Sequence, residues 1–229
     1  MKRLSVSLPK KLITFGLIYL VLQLFVLSTA LSWGNWLLGS PLSSTSLHFL
    51  FFALNFLVIT VVYRDFLIEN FKYLMRNPWK TFRFAGAGLM LYWIVSYAIN
   101  YLIIKLSPDF INANDASISQ MTKENYTLMS IGTIILVPVV EETLYRGAVF
   151  GGIYGKNPVL AYGVSTALFS IVHILSYMDT YTPLQLLLCF VQYLPAGICL
   201  AWSYEKADSI WAPILIHIAV NQVGTYSMR

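Results

Sequence analysis

Charge is the scarcest ingredient of this sequence: 11% of its 229 residues are Asp, Glu, Lys or Arg, against 58% hydrophobic, and mean hydropathy is +0.68. Soluble domains carry about 25% charged residues, so a soluble fold is excluded and a polytopic membrane protein is expected. Cysteine is nearly absent too. Cys189 and Cys199 fall in one apolar run that a disulfide would break, and they have no CxxC spacing. There is no HExxH to supply a two-histidine zinc helix, and no GxGxxG or GxxxxGK[ST] after a strand to supply a nucleotide site. Repeats, low-complexity tracts and a soluble appendage are missing as well, which leaves one transmembrane helical domain over residues 1–229. The net charge of +5 does not point to nucleic acid, because the positives sit beside hydrophobic runs rather than on a soluble basic face.

Long apolar runs are what the chain has in quantity. They extend from Leu12 to Leu31, Leu47 to Tyr63, Phe84 to Ile104, Tyr126 to Val149, Val159 to Tyr177, Pro183 to Tyr204 and Ile210 to Tyr226. Since roughly 20 helical residues cross a bilayer, the expectation is an all-α bundle of about seven transmembrane helices. The first run exceeds the apolar stretch of about 7–15 residues in a signal peptide and reads as an uncleaved helix. Lys2, Arg3, Lys10 and Lys11 precede it, and Arg64, Lys72, Arg76, Lys80 and Arg83 follow the second run. The positive-inside rule places both groups, and the N-terminus, in the cytoplasm. The uncharged linker Ser32–Ser46, with Trp33, Trp36 and Pro41, and the acid-rich loop Lys105–Asn125 then face outside. Gly86 and Gly88 are expected to admit close helix contacts, and Asp65, Asp179 and Asp208 to be solvated at helix ends.

The fourth run is the exception, because Glu141, Glu142 and Arg146 lie inside it. A charge at a helix centre costs roughly 2.5–3.5 kcal/mol on insertion scales, so three are tolerated only where they face protein or a wet cavity and satisfy one another. Residues four apart share a helical face: Glu142 pairs with Arg146, Glu141 points elsewhere, and His217 aligns with Asn221. His173 lies on the fifth run, and His48 alone among the histidines lacks polar company. Structural alternatives exist for each: an intramembrane ion pair, an interhelical histidine, and asparagine as polar glue. A purely structural pair, however, requires neither Glu141 nor two histidines and an asparagine on other helices. A zinc site from His173, His217 and a glutamate is chemically possible. Gly163–Ala167 is similar to a serine-nucleophile loop, pairing Ser165 with His173, but reads more naturally as a small-residue packing face.

Glu141-Glu142-Thr143-Leu144-Tyr145-Arg146-Gly147 resembles the EExxxR motif of the CAAX-protease and bacteriocin-processing (CPBP, or Abi) intramembrane proteases. Phe169-Ser170-Ile171-Val172-His173 resembles their FxxxH, and His217-Ile218-Ala219-Val220-Asn221 their HxxxN, so the likeness runs from about Ile131 to Asn221. The resemblance implies a peptidase with a catalytic core at about residues 126–226. Glu141 would be the general base, His173 its partner in holding water, and His217 with Asn221 the oxyanion donors, while Glu142 and Arg146 orient the site. Burial and a neighbouring carboxylate raise a base toward ambient pH, where it works best. No metal or other cofactor is expected. The implied partners are the lipid bilayer and a peptide or protein substrate with a membrane-proximal cleavage site. The family's substrates include prenylated CAAX tails and, in bacteria, bacteriocin or pheromone leaders, so leader processing or self-immunity is expected. The alternative is a non-catalytic membrane partner or immunity protein that binds a sensor kinase or a bacteriocin receptor.

Overall fold

The computed structural model describes residues 4–228, so Lys2 and Arg3, half of the N-terminal positive group, lie outside the described residues. The helices are α1 (Lys10–Leu37), α2 (Ser44–Val62), α3 (Arg64–Arg76), α4 (Pro78–Leu106), α5 (Ala113–Glu124), α6 (Tyr126–Tyr154), α7 (Pro158–Val172), α8 (Pro183–Ala207) and α9 (Trp211–Ser227). No strand occurs among the described residues. Their starts follow local chemistry. Ser43, Asn125 and Asn157 cap α2, α6 and α7 by accepting backbone N–H groups, Thr182 and Gln185 form a reciprocal capping box on α8, and prolines open α4, α7 and α8.

This is an all-α, multi-pass membrane fold. Five helices, α1, α2, α4, α6 and α8, are long and apolar enough to cross a membrane. The other two expected crossings correspond to α7 and α9, which have 15 and 17 residues. At about 1.5 Å per residue both fall short of the roughly 30 Å hydrocarbon core, so the count of seven is not reproduced by length. The expected loops are also more ordered than their composition suggests. α1 runs on through Trp33 and Trp36, α5 occupies the second half of Lys105–Asn125, and the basic segment forms the short amphipathic α3 and the start of α4. α3 buries Phe66, Leu67 and Leu74, and its Asn70 accepts the Ile210 N–H at 3.0 Å, tying it to the start of α9.

α6 is the centre of the bundle, contacted by α1, α2, α7, α8 and α9, while α4 packs along α8 and α9. Gly88 explains part of that second contact. A Cβ there would stand 2.7 Å from Ile216 and 3.2 Å from Ser203, whereas one on Gly86 would meet nothing within 4 Å. The expected close approach therefore holds for Gly88 and not for Gly86. Asp208 also departs from expectation. It takes a left-handed turn (φ 60°) at the end of α8, accepts the Ser5 N–H at 2.8 Å and the Ser5 hydroxyl, and lies 4.0 Å from Lys80.

Candidate active site

The three-residue charge cluster sits where α6 changes its winding. Val137–Glu141 is α-helical, and Glu142–Phe150 continues as a π-helix. Hydrogen bonds in a π segment run i→i+5, and such segments recur at functional sites. Glu141 faces a cavity while Glu142 turns back to Arg146, as the 100° between helical neighbours leads one to expect, and His217 stands between the two glutamates. Its Nδ1 is 2.7 Å from Glu142 Oε1 and its Nε2 4.0 Å from Glu141 Oε2.

Glu142 and Arg146 are fully buried and paired at 3.2 Å, as expected. Arg146 also donates to the Gly197 and Ala196 carbonyls of α8 at 3.2 and 3.4 Å, and its guanidinium carbon lies 4.4 Å from the Phe169 ring centroid. A buried pair persists only when such extra bonds compensate desolvation. α8 comes this near α7 because Gly197 has no side chain; a Cβ there would collide with Thr166.

His173 lies just past the last turn of α7, and its Nδ1 is 2.7 Å from the Phe169 carbonyl. A carbonyl only accepts, so Nδ1 carries the proton and a neutral imidazole presents Nε2 as acceptor. Asn221 donates from Nδ2 to the Thr133 carbonyl at 2.8 Å and keeps one N–H for another partner. Glu141, His173, His217 and Asn221 all line one cavity of about 580 Å³, which Glu142 and Arg146 do not reach. The six expected residues thus separate into four at the cavity and two behind them. Glu141 Oε2 is enclosed and makes no hydrogen bond among the described residues.

Two site residues were not singled out in the sequence. Phe169 appeared only as the first letter of FxxxH, yet its ring touches Tyr145, Arg146, His173 and His217. Thr133, in an apolar stretch with no motif, supplies the carbonyl for Asn221 and a 3.1 Å hydroxyl contact to Thr225. The Ser165 alternative fails: this fully buried hydroxyl donates to the Tyr145 carbonyl at 2.9 Å and does not line the cavity. Cys189 and Cys199 are buried free thiols. No group of three or more His, Cys, Asp or Glu converges as a metal set among the described residues.

Residues 123–223 match the family described as Type II CAAX prenyl endopeptidase Rce1-like. That span holds all six residues. Two curated relatives extend the likeness. The chain is 31% identical over 96 residues to “Putative membrane peptidase YdiL” of Bacillus subtilis (strain 168), covering 41% of this chain and 34% of that protein. It is 31% identical over 95 residues to “UPF0177 protein YxdF” of Lactococcus lactis subsp. lactis (strain IL1403), covering 42% of this chain and 47% of that protein. Over this span the chain is similar to the CPBP family. The CPBP likeness spans between a third and half of the length of these relatives, and no solved structure matches the chain. Outside the matched residues lie most of α5 and all of α1 to α4, whose hydrophobicity carries no motif of its own.

Proposed function

We propose that the protein is an intramembrane endopeptidase that cleaves a membrane-proximal peptide with water activated by Glu141. The observation that carries this reading is the sorting of the polar cluster, with one glutamate, two histidines and an asparagine on the cavity and the ion pair behind. In this reading a water sits between Glu141 Oε2 and His173 Nε2. Glu141 takes one of its protons as the water oxygen attacks the carbonyl carbon, and the tetrahedral oxyanion is met by His217 and Asn221. The C–N bond then breaks, and the amine leaves with the proton held on Glu141.

His217 has a specific requirement. Its Nδ1 is turned to Glu142, so it donates from Nε2 to an oxyanion only as the imidazolium. With Arg146 charged as well, two positive groups face the two glutamates and the cluster sums to zero. Glu142 therefore serves the base indirectly, by holding both cations. Family likeness suggests a bacteriocin or pheromone leader, or a self-immunity role, a choice carried by analogy alone, while the positive-inside rule favours a cytoplasmic N-terminus.

The test incubates the purified protein in detergent with synthetic leader peptides and follows cleavage by mass spectrometry. Cleavage should fall by about 10²–10⁴ in Glu141→Gln, the range of general-base catalysis. Undiminished cleavage in Glu141→Gln removes Glu141 as the base. No cleavage by the wild type, with full immunity conferred by Glu141→Gln in cells, establishes the non-catalytic partner instead.

A further inference from the structure

The cavity has a second polar wall, contributed by α5 and α8, that the chemistry above does not use. Asn112 Nδ2 donates to Gln192 Oε1 at 2.6 Å, and Asn114 Nδ2 donates to the Tyr193 hydroxyl at 3.1 Å. That hydroxyl also lies 3.3 Å from Asp115 Oδ1 and 3.4 Å from Asn112 Oδ1. Having one proton, it donates to one of these acceptors at a time while accepting from Asn114. Gln192 carries the network on to Asn100 of α4 at 2.9 Å. Asp115 borders the cavity, where surrounding protein displaces bulk water and raises its carboxyl above the ordinary value; the Tyr193 hydroxyl opposes that rise.

Tyr193 turns its other feature toward the site. Its ring stacks on His173 with centroids 4.2 Å apart and planes inclined by 27°. His173 needs such a contact, because it follows the last turn of α7 and its ring is otherwise held by one hydrogen bond, to the Phe169 carbonyl, and by the tilted Phe169 ring at 4.7 Å. A ring held by one N–H can swing about that bond, which moves Nε2 through the cavity. The flat face of Tyr193, fixed at its far end by three α5 side chains, blocks the swing.

We infer that Tyr193, anchored through its hydroxyl by Asn112, Asn114 and Asp115, is a positioning residue that holds the His173 ring in its working orientation. It acts through His173, so the inference rests on the reading of His173 as the water-holding histidine. The titratable groups sharing the cavity with that ring are Glu141 and Tyr145 from α6, His217 from α9, Asp115 from α5, and Tyr92 and Tyr193 from α4 and α8.

With three histidines in the chain, ring-labelled histidine gives a spectrum assignable from His48→Gln and His173→Gln. In the purified protein the His173 ring signal should carry a ring-current displacement from Tyr193 and Phe169, of which Tyr193→Leu removes the Tyr193 part and Tyr193→Phe keeps it. With the same leader peptides, Tyr193→Leu should lower kcat at least about tenfold, since displacements near 1 Å cost up to about 10²-fold, and leave KM within about twofold. Tyr193→Phe should retain most of kcat. An unmoved His173 signal in Tyr193→Leu overturns the inference, as does a raised KM with unchanged kcat, which would make Tyr193 a substrate contact. If Tyr193→Leu does not fold, Asp115→Asn combined with Asn114→Ala takes its place, and the His173 signal must move when the anchor is loosened. If the wild type cleaves nothing, the spectrum alone decides: a moved signal keeps the Tyr193–His173 link while the peptidase reading falls.

Discussion

Glu142 receives Arg146 and His217 on the same oxygen, Oε1, at 3.2 and 2.7 Å, whereas Glu141 Oε2 has no hydrogen-bond partner among the described residues. Adjacent in sequence and identical in chemistry, the two should respond oppositely to the same substitution. Glu142→Gln leaves Arg146 without its counter-charge, and breaking a buried pair costs roughly 3–5 kcal/mol. Its thermal midpoint in detergent should fall well below the wild type and recover partly in the double variant Glu142→Gln, Arg146→Gln. Glu141→Gln should unfold at the wild-type temperature while losing cleavage. Thermal unfolding of the three variants side by side checks this, and a destabilised Glu141→Gln with a stable, inactive Glu142→Gln would reverse the two roles.

The helices show how little of a packing face is written in one strand of residues. Gly86 and Gly88 are both glycines of α4 in an apolar stretch, and only a Cβ at Gly88 would strike α8 and α9. Two residues apart on an α-helix means about 200° of rotation, so one faces the bundle while the other faces away. Gly88→Val should lower the thermal midpoint by the equivalent of about 1–3 kcal/mol, the usual cost of overpacking. Gly86→Val should leave it unchanged or slightly higher, since removing a helix-interior glycine is mildly favourable. Equal losses from both would mean that α4 is rotated relative to its neighbours. The same logic separates Ser165 from the site: its placement in a small-residue run puts it against Tyr145 rather than on the cavity.

At the scale of the molecule, polar contacts gather the loops into two ends. Ser5, Asn70, Lys80 and Asp208 meet at one end through α3, the start of α4 and the α8–α9 connection. At the other, Thr45 donates to Glu124 at 2.6 Å, joining the start of α2 to the end of α5. Hydrogen bonds from Ser43 and Thr45 hold the Glu124 carboxyl below its ordinary range. The basic residues concentrate at the first end, which the positive-inside rule assigns to the cytoplasm. Cysteines introduced at Ser40 and Asp109 should therefore react with an impermeant thiol reagent on intact cells, and one at Arg76 only after permeabilisation. The native Cys189 and Cys199 are buried and free, which keeps background labelling low. The opposite pattern would invert the orientation, and labelling of Ser40 without Asp109 would break the pairing of loops.

The membrane class, the approximate helix ranges and the six polar residues were legible in the sequence, because each is a local property. A run of apolar residues, a charge inside it and a four-residue spacing all survive without knowledge of what lies beside them. The relations between helices were not legible. That His217 stands between the glutamates, that Glu142 and Arg146 lie behind the cavity rather than on it, and that Phe169 and Tyr193 frame the histidines all depend on which faces meet. By length α7 and α9, at 15 and 17 residues, fall short of the long helices, yet they bring His173 and His217 to the cavity. Sequence determines which side chains a helix can offer; packing against the neighbouring helices decides which of them face one another.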